Sequence, residues 1–197
     1  MQDKIRNLFE KIPKVKQGQR VVLGIDGLSR SGKTTFVRCM EQFLKEENIS
    51  VCIFHIDDYI VERKKRYNTG NEEWYEYFNF QWDVEMLTEN LFKRLKDANE
   101  LHLLAYEYSS DTHKLQKTSI PHTCLIIIEG VFLQRKEWRN FYDLIVYLDC
   151  PREKRFHRES EETQKNMDKF EKRYWKAEEY YLKVFSPMGQ ADLIIQN

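Results

Sequence analysis

Gly27-Leu28-Ser29-Arg30-Ser31-Gly32-Lys33-Thr34 matches, at every specified position, the pattern glycine, any four residues, glycine, lysine, then serine or threonine. Each specified residue has a physical task in such a turn. The glycines let the backbone curl so that its N–H groups face a phosphate chain, and a following helix adds the positive end of its dipole. Lys33 supplies a mobile cation for the β and γ phosphates, and the Thr34 hydroxyl is a magnesium ligand. The expected contacts to the nucleotide are therefore Gly27, Ser29, Arg30, Ser31, Gly32, Lys33, Thr34 and Thr35, with ATP and Mg2+ as the implied ligands.

The flanks of this turn agree with the reading. Arg20-Val21-Val22-Leu23-Gly24-Ile25-Asp26 is an almost continuous apolar run, the kind buried on both faces of a parallel sheet. Lys33 to Glu47 carries Phe36, Val37, Met40, Phe43 and Leu44 at helical spacing, so the unit reads strand, loop, helix. Further strands are predicted at Val51 to Ile56, ending at Asp57-Asp58-Tyr59, and at Leu125 to Ile128, ending at Glu129-Gly130. Two more are predicted at Asp143 to Leu148 and Asp192 to Ile195. Residues 3 to 16 place Ile5, Leu8, Phe9 and Ile12 at helical spacing, with Pro13 near the end of a short amphipathic helix. Ser109-Ser110-Asp111-Thr112 reads as the turn of a β-hairpin. Buried strands alternating with helices predict an α/β three-layer sandwich with a mostly parallel sheet, whose ligand lies at the carboxyl ends of the strands.

At 197 residues, the chain is expected to form a single domain over 1–197 with one site. Its 32 Lys+Arg balance 32 Asp+Glu, which removes any whole-chain argument for nucleic-acid or membrane binding. The four cysteines are scattered, without zinc or disulfide spacing, and the five histidines show no metal-ligand spacing. No signal peptide or membrane-spanning run is visible, so the expectation is a cytoplasmic protein.

A phosphate loop does not by itself separate kinases from GTPases. The guanine motif is missing, since Lys165-Asn166-Met167-Asp168 departs from it, and no glycine has an aspartate three residues before it. Glu129 follows three isoleucines, where a carboxylate needs a cation or donors, and magnesium at Thr34 would supply one. Arg152, Arg155 and Arg158 recur every three residues and would form one basic face of a helix.

Taken in order, Gly24-Ile25-Asp26-Gly27 with the loop, Asp57-Asp58-Tyr59, Asn79-Phe80, Ile128-Glu129-Gly130, Asp149 to Arg158, and Ala191-Asp192-Leu193-Ile194-Ile195 resemble the uridine kinase and phosphoribulokinase-like P-loop kinases, in particular bacterial uridine kinase-like proteins. The resemblance covers roughly residues 18 to 197 and implies a P-loop nucleoside triphosphate hydrolase fold with a helical lid at about 152–168. It implies phosphorylation of a small-molecule hydroxyl, nucleoside-like, with Asp57 as the base that takes the acceptor's proton. Lys33, Arg155 and Arg158 would stabilise charge on the transferring group, and Asp58 would join Thr34 and Glu129 around the metal. Asp57, Tyr59, Phe80, Gln81 and Tyr106 are the expected acceptor contacts.

The chain departs from the family at three places. The lid reads Thr163-Gln164-Lys165 where an arginine, a glycine and an arginine are usual, leaving Lys165 as the surviving cation. Gln81 replaces an aspartate, and Asp111 aligns with a hairpin histidine. The aromatics Tyr67, Trp74, Tyr75, Tyr77, Phe78, Phe80 and Trp82 are expected to cover a core or join subunits as a homo-oligomer, with stacking on a planar substrate as the other reading. The altered lid and pocket leave two rivals to the kinase, a nucleotide-binding regulator without acceptor phosphorylation and an assembly protein.

Overall fold

The computed structural model describes residues 1–197. Five strands, β1 (Arg20–Asp26), β2 (Val51–His55), β5 (Cys124–Gly130), β6 (Leu144–Asp149) and β7 (Leu193–Gln196), form one sheet in the order β2-β5-β1-β6-β7, with every pairing parallel. Strands β3 (Glu100–Glu107) and β4 (Thr112–Ser119) form a separate antiparallel hairpin.

β1 and β5 are buried at every residue, which explains their unbroken apolar runs. Side chains alternate between faces, so odd and even positions enter different cores. Val21, Leu23, Ile25, Leu125 and Ile127 join Leu8 of α1 (Gln2–Lys11) and Phe36 and Met40 of α2 (Lys33–Glu46). Val22, Ile126 and Ile128 join a second, aromatic-rich core with Phe78 of α4 (Glu73–Phe80), Leu87 of α5 (Val84–Asn90) and Tyr181 of α9 (Lys176–Phe185). Helix layers on both faces of a parallel sheet give the three-layer α/β sandwich that the strand pattern predicts.

Helix α1 stops at Lys11, earlier than the periodicity to residue 16 predicts. Ile12 precedes Pro13 and takes extended angles, φ −66° and ψ 131°, because the proline ring crowds a helical residue before it. Buried Arg20 is fully explained by structure, since its guanidinium donates to the carbonyls of Pro121, Ala98 and Ile120 at 2.9, 2.7 and 3.0 Å. The hairpin turns through Asp111, at φ +55°, and Asp111 accepts from the Tyr106 hydroxyl at 2.7 Å and from the backbone N–H of Arg63 at 2.9 Å. It therefore stitches the hairpin to α3 (Arg63–Arg66).

The lid is a chain of short helices: α6 (Arg152–Phe156), α7 (Glu161–Gln164) and α8 (Met167–Lys169), then a π-helical stretch Phe170–Trp175 leading into α9. Ser160 and Asn166 break it up by capping α7 and α8. A last helix, α10 (Pro187–Gln190), precedes β7. The aromatic segment goes mainly into packing, with Tyr77, Phe78 and Trp82 buried and Tyr75 left exposed. All four cysteines are unpaired, and no helix is long and apolar enough to cross a membrane.

Candidate active site

Parallel register brings the chemistry to one end of the sheet. His55 pairs with Glu129 between β2 and β5, and Asp26 pairs with Gly130 between β1 and β5. The segments that follow these strand ends, the phosphate loop after Asp26 and the 3-10 turn Ile56–Tyr59 after His55, therefore emerge side by side.

The loop is held from several directions. Gly27 lies at φ +155°, where a Cβ would come within 2.7 Å of the Leu148 carbonyl and 2.8 Å of Ser31 Oγ, so close approach demands glycine. Gly32 caps α2 at φ +96°, in the left-handed region. Four successive carbonyls each have a side-chain donor: Leu28 from Lys33 at 3.0 Å, Ser29 from Arg155 at 3.0 Å, Arg30 from Arg158 at 2.8 Å and Ser31 from Asn197 at 2.6 Å. The N–H groups of Arg30 and Gly32 donate to no backbone acceptor within the protein and remain available to an anion. Asp26 anchors the loop's entry; wholly buried, it accepts from Tyr181 Oη at 2.6 Å and Gln134 Nε2 at 2.9 Å. Burial pushes its carboxyl up, and these hydrogen bonds offset the effect only in part.

Thr34 Oγ1 donates to Glu129 Oε1 at 2.9 Å, and His55 Nδ1 lies 2.7 Å from the same oxygen. Burial opposes ionisation of Glu129, but His55, the Lys33 charge and Thr34 outweigh it and hold the carboxyl below its ordinary value. The hydrogen bond to Glu129 raises His55. Lys33 is buried, and desolvation lowers its pKa against the attraction of Glu129 and Asp57. Two hard oxygen donors, Thr34 and Glu129, side by side suit a magnesium ion that keeps most of its other ligands from water and phosphate. No group of three His, Cys, Asp or Glu residues could hold a metal unaided.

Asp57 stands on the 3-10 turn with its side chain exposed to the cleft. Protein packed around the carboxyl removes part of its water and pushes its pKa up; Lys33 pulls it down, and Glu129 and Asp58 add to the rise. A cleft of about 850 Å³ joins these parts. Of the sequence-predicted residues, Ser29, Arg30, Gly32, Lys33, Thr34, Thr35, Asp57, Gln81, Glu129, Arg155 and Arg158 line it. Gly27 and Ser31 lie in the loop behind that surface, and Asp58 is beside Asp57 but outside the lining. Tyr59 is buried in the core, Phe80 packs edge-on against Tyr75 at 5.5 Å, and Tyr106 bonds to Arg66 and Asp111, so none of the three lines the cleft.

The lid arginines divide the work. Arg155 is buried, with Nη1 and Nη2 on Glu178 at 2.7 and 2.9 Å and Nε on the Cys150 carbonyl at 3.1 Å, so its charge is already answered. Arg158 is exposed and has no carboxylate partner. Arg152 pairs with Glu179 at 2.7 Å and stacks on the ring of Trp175, which lines the cleft although Arg152 itself does not. The cleft also takes Arg63, Arg66, Tyr174 and Lys169, which sequence reasoning did not single out, together with Tyr67 and Tyr77 of the aromatic segment, and of the lysines in this region Lys169 rather than Lys165 lines it. Nothing in Glu62-Arg63-Lys64-Lys65-Arg66 separates a solvated charge run from a cleft wall, because only the fold turns Arg66 inward.

The profile of the Phosphoribulokinase / Uridine kinase family matches residues 22–197. The chain is 28% identical over 146 residues to a uridine kinase of Borrelia turicatae, spanning 71% of this chain and 66%, just under two thirds, of that protein. A uridine kinase of Staphylococcus epidermidis is 27% identical over 180 residues, covering 87% of this chain and 81% of its own. The solved structure of a possible uridine kinase from Bacillus stearothermophilus superimposes with a TM-score of 0.87 at 51% identity, covering 98% of each chain. With its phosphate loop, strand-end carboxylates and docked lid in the expected order, this chain belongs to the phosphoribulokinase and uridine kinase family.

Proposed function

We propose that the chain transfers the γ-phosphoryl group of ATP to a hydroxyl of a small molecule. The observation that carries this reading is the shared cleft: Asp57, with a raised proton affinity, opens onto the same space as Lys33, Thr34 and the loop. A carboxylate there takes the proton as the acceptor oxygen bonds to phosphorus and the bond from phosphorus to the ADP oxygen breaks.

Lys33, on the loop, neutralises charge on the transferring group, and Arg158 adds an unpaired cation from the lid. Arg155 acts through position, tying Ser29 to Glu178 and so setting the loop's shape. Thr34 and Glu129 would hold magnesium, which would supply charge neutralisation for the phosphates. The relatives' names suggest a nucleoside acceptor, although the chain's own pocket presents Gln81 to the cleft and keeps Asp111 in the hairpin stitch. A cytoplasmic setting accompanies this reading, motivated by the reduced cysteines.

The test is ADP release with Mg-ATP across a panel of hydroxylated metabolites. At least one acceptor is expected to yield ADP in step with its phosphorylated product. Tight ATP binding with no productive acceptor would favour a nucleotide-binding regulator instead.

A further inference from the structure

Glu129 is anchored from two sides, and only one of them is the phosphate loop. Along β5, Leu125 and Ile127 join the core under α2, and along β2, Val51 and Ile53 pack against that same core. Strand alternation therefore sends the next residue of each series, Glu129 and His55, to the same face. The parallel register sets the two side by side, with His55 as the Cα partner of Glu129. Helix α2 covers this face through Phe36 and Met40, and its first turn brings Thr34 to the carboxylate.

Both contacts fall on one oxygen. Thr34 Oγ1 donates to Oε1 at 2.9 Å, His55 Nδ1 lies 2.7 Å from the same atom, and Oε2 accepts no hydrogen bond within the protein. An ionised carboxylate only accepts, so Nδ1 carries the hydrogen. Glu129 is buried and lines the cleft, whereas His55 is half-buried and stands outside the lining. The last torsion of a glutamate side chain is soft, so one donor would let the group swing about Oε1. Two donors from different elements, α2 and β2, restrict that motion. Thr34 is itself a metal ligand in the proposed site, which makes His55 the restraint that does not touch the ion.

We infer that His55 is a positioning residue for magnesium: its Nδ1–H holds Glu129 by Oε1 and leaves Oε2 as the oxygen offered to the ion. The inference rests on the phosphoryl-transfer reading and adds a residue behind its metal site. Hydrogen-bond partners of a ligating carboxylate fix its orientation, and losing one typically weakens metal binding by about 10- to 100-fold. The amide nitrogen of asparagine sits, like Nδ1, one bond beyond Cγ and carries no charge. Asparagine at position 55 therefore keeps the hydrogen bond and discards any ionic contribution.

The test measures, by calorimetry, the affinity for a non-hydrolysable ATP analogue once in Mg and once in EDTA. The ratio of the two dissociation constants reports the metal's contribution without turnover. In wild type, Mg is expected to tighten the analogue. His55→Ala is expected to cut that gain by about tenfold while affinity in EDTA stays within about twofold, and His55→Asn to restore the gain to within about threefold of wild type. His55→Leu, which fills the space without a donor, takes the place of His55→Ala if that variant melts early. An unchanged gain in the donorless variant overturns the inference, and so does a gain for His55→Asn as low as that variant's; in both cases the nucleotide still binds and phosphoryl transfer stands. Equal binding to wild type with and without Mg removes the metal site and the inference together. No binding in either buffer overturns the phosphoryl-transfer reading as well.

Discussion

Arg155 and Glu178 form a two-point ion pair, 2.7 and 2.9 Å, with both side chains buried between the lid and α9. The same guanidinium holds the Ser29 carbonyl, so one contact couples lid, helix and phosphate loop. Removing one partner leaves a buried charge unanswered. Glu178→Ala is expected to lower stability by about 3–5 kcal/mol in urea unfolding and to weaken ATP binding as the loop loosens. Stability unchanged within 1 kcal/mol, on the order of ordinary surface substitutions, would contradict this role.

Lys33 is buried at the loop and desolvated, so its charge is poised for phosphate and contributes little to the free fold. Lys33→Ala is expected to reduce turnover at least about a hundredfold, a loss comparable to removing a preorganised charge-stabilising donor. Its melting temperature should stay close to wild type. A variant that keeps both ATP affinity and turnover would remove Lys33 from the proposed chemistry.

Asp57 carries a stability consequence as well. Its folded pKa lies above the unfolded value of 3.8, so in the window between them the folded state binds more protons than the unfolded chain. Stability therefore falls as pH rises through that window, and at neutral pH the ionised carboxylate is a net burden on the free protein. Asp57→Asn is expected to melt above wild type at pH 7 by calorimetry, about equal only as pH falls toward 3.8. The acidic limb of kcat/KM should likewise sit above the range of an unperturbed aspartate.

Gly130 ends β5 against the turn that carries Asp57, and a Cβ there would collide with Ile56 Cγ2. Gly130→Ala is expected to cost about 1–3 kcal/mol and, by pushing Ile56 and its neighbour Asp57, to lower kcat more than it raises the KM for ATP. Kinetics on the folded variant check this; equal loss in both parameters would point to general damage.

The loop and the sheet were legible because their signals are local. β1, β5 and the glycine turn depend on residues next to one another, and their predicted ends fall within a residue or two of the observed ones. Glu129 was legible for a different reason: a carboxylate after three isoleucines demands a partner, and Thr34 and His55 provide it. What sequence pattern misses is set by long-range packing. Arg155 and Arg158 share a helical spacing, yet one is buried on Glu178 and the other exposed, because α9 brings Glu178 to only one of them. Tyr59 follows two site aspartates but turns into the core, as a 3-10 turn points consecutive side chains in different directions. Lys169 enters the cleft because caps at Ser160 and Asn166 break the lid into pieces, and the following π-helical stretch alters the helical phase.

The most direct measurement pairs ATP affinity with turnover for wild type and Asp57→Asn, using an acceptor found by ADP release. The carboxylate at position 57 is predicted to be dispensable for holding ATP, with affinity within about twofold, and essential for transfer, with kcat reduced at least about a hundredfold. An Asp57→Asn protein that phosphorylates the acceptor at the wild-type rate would contradict the account.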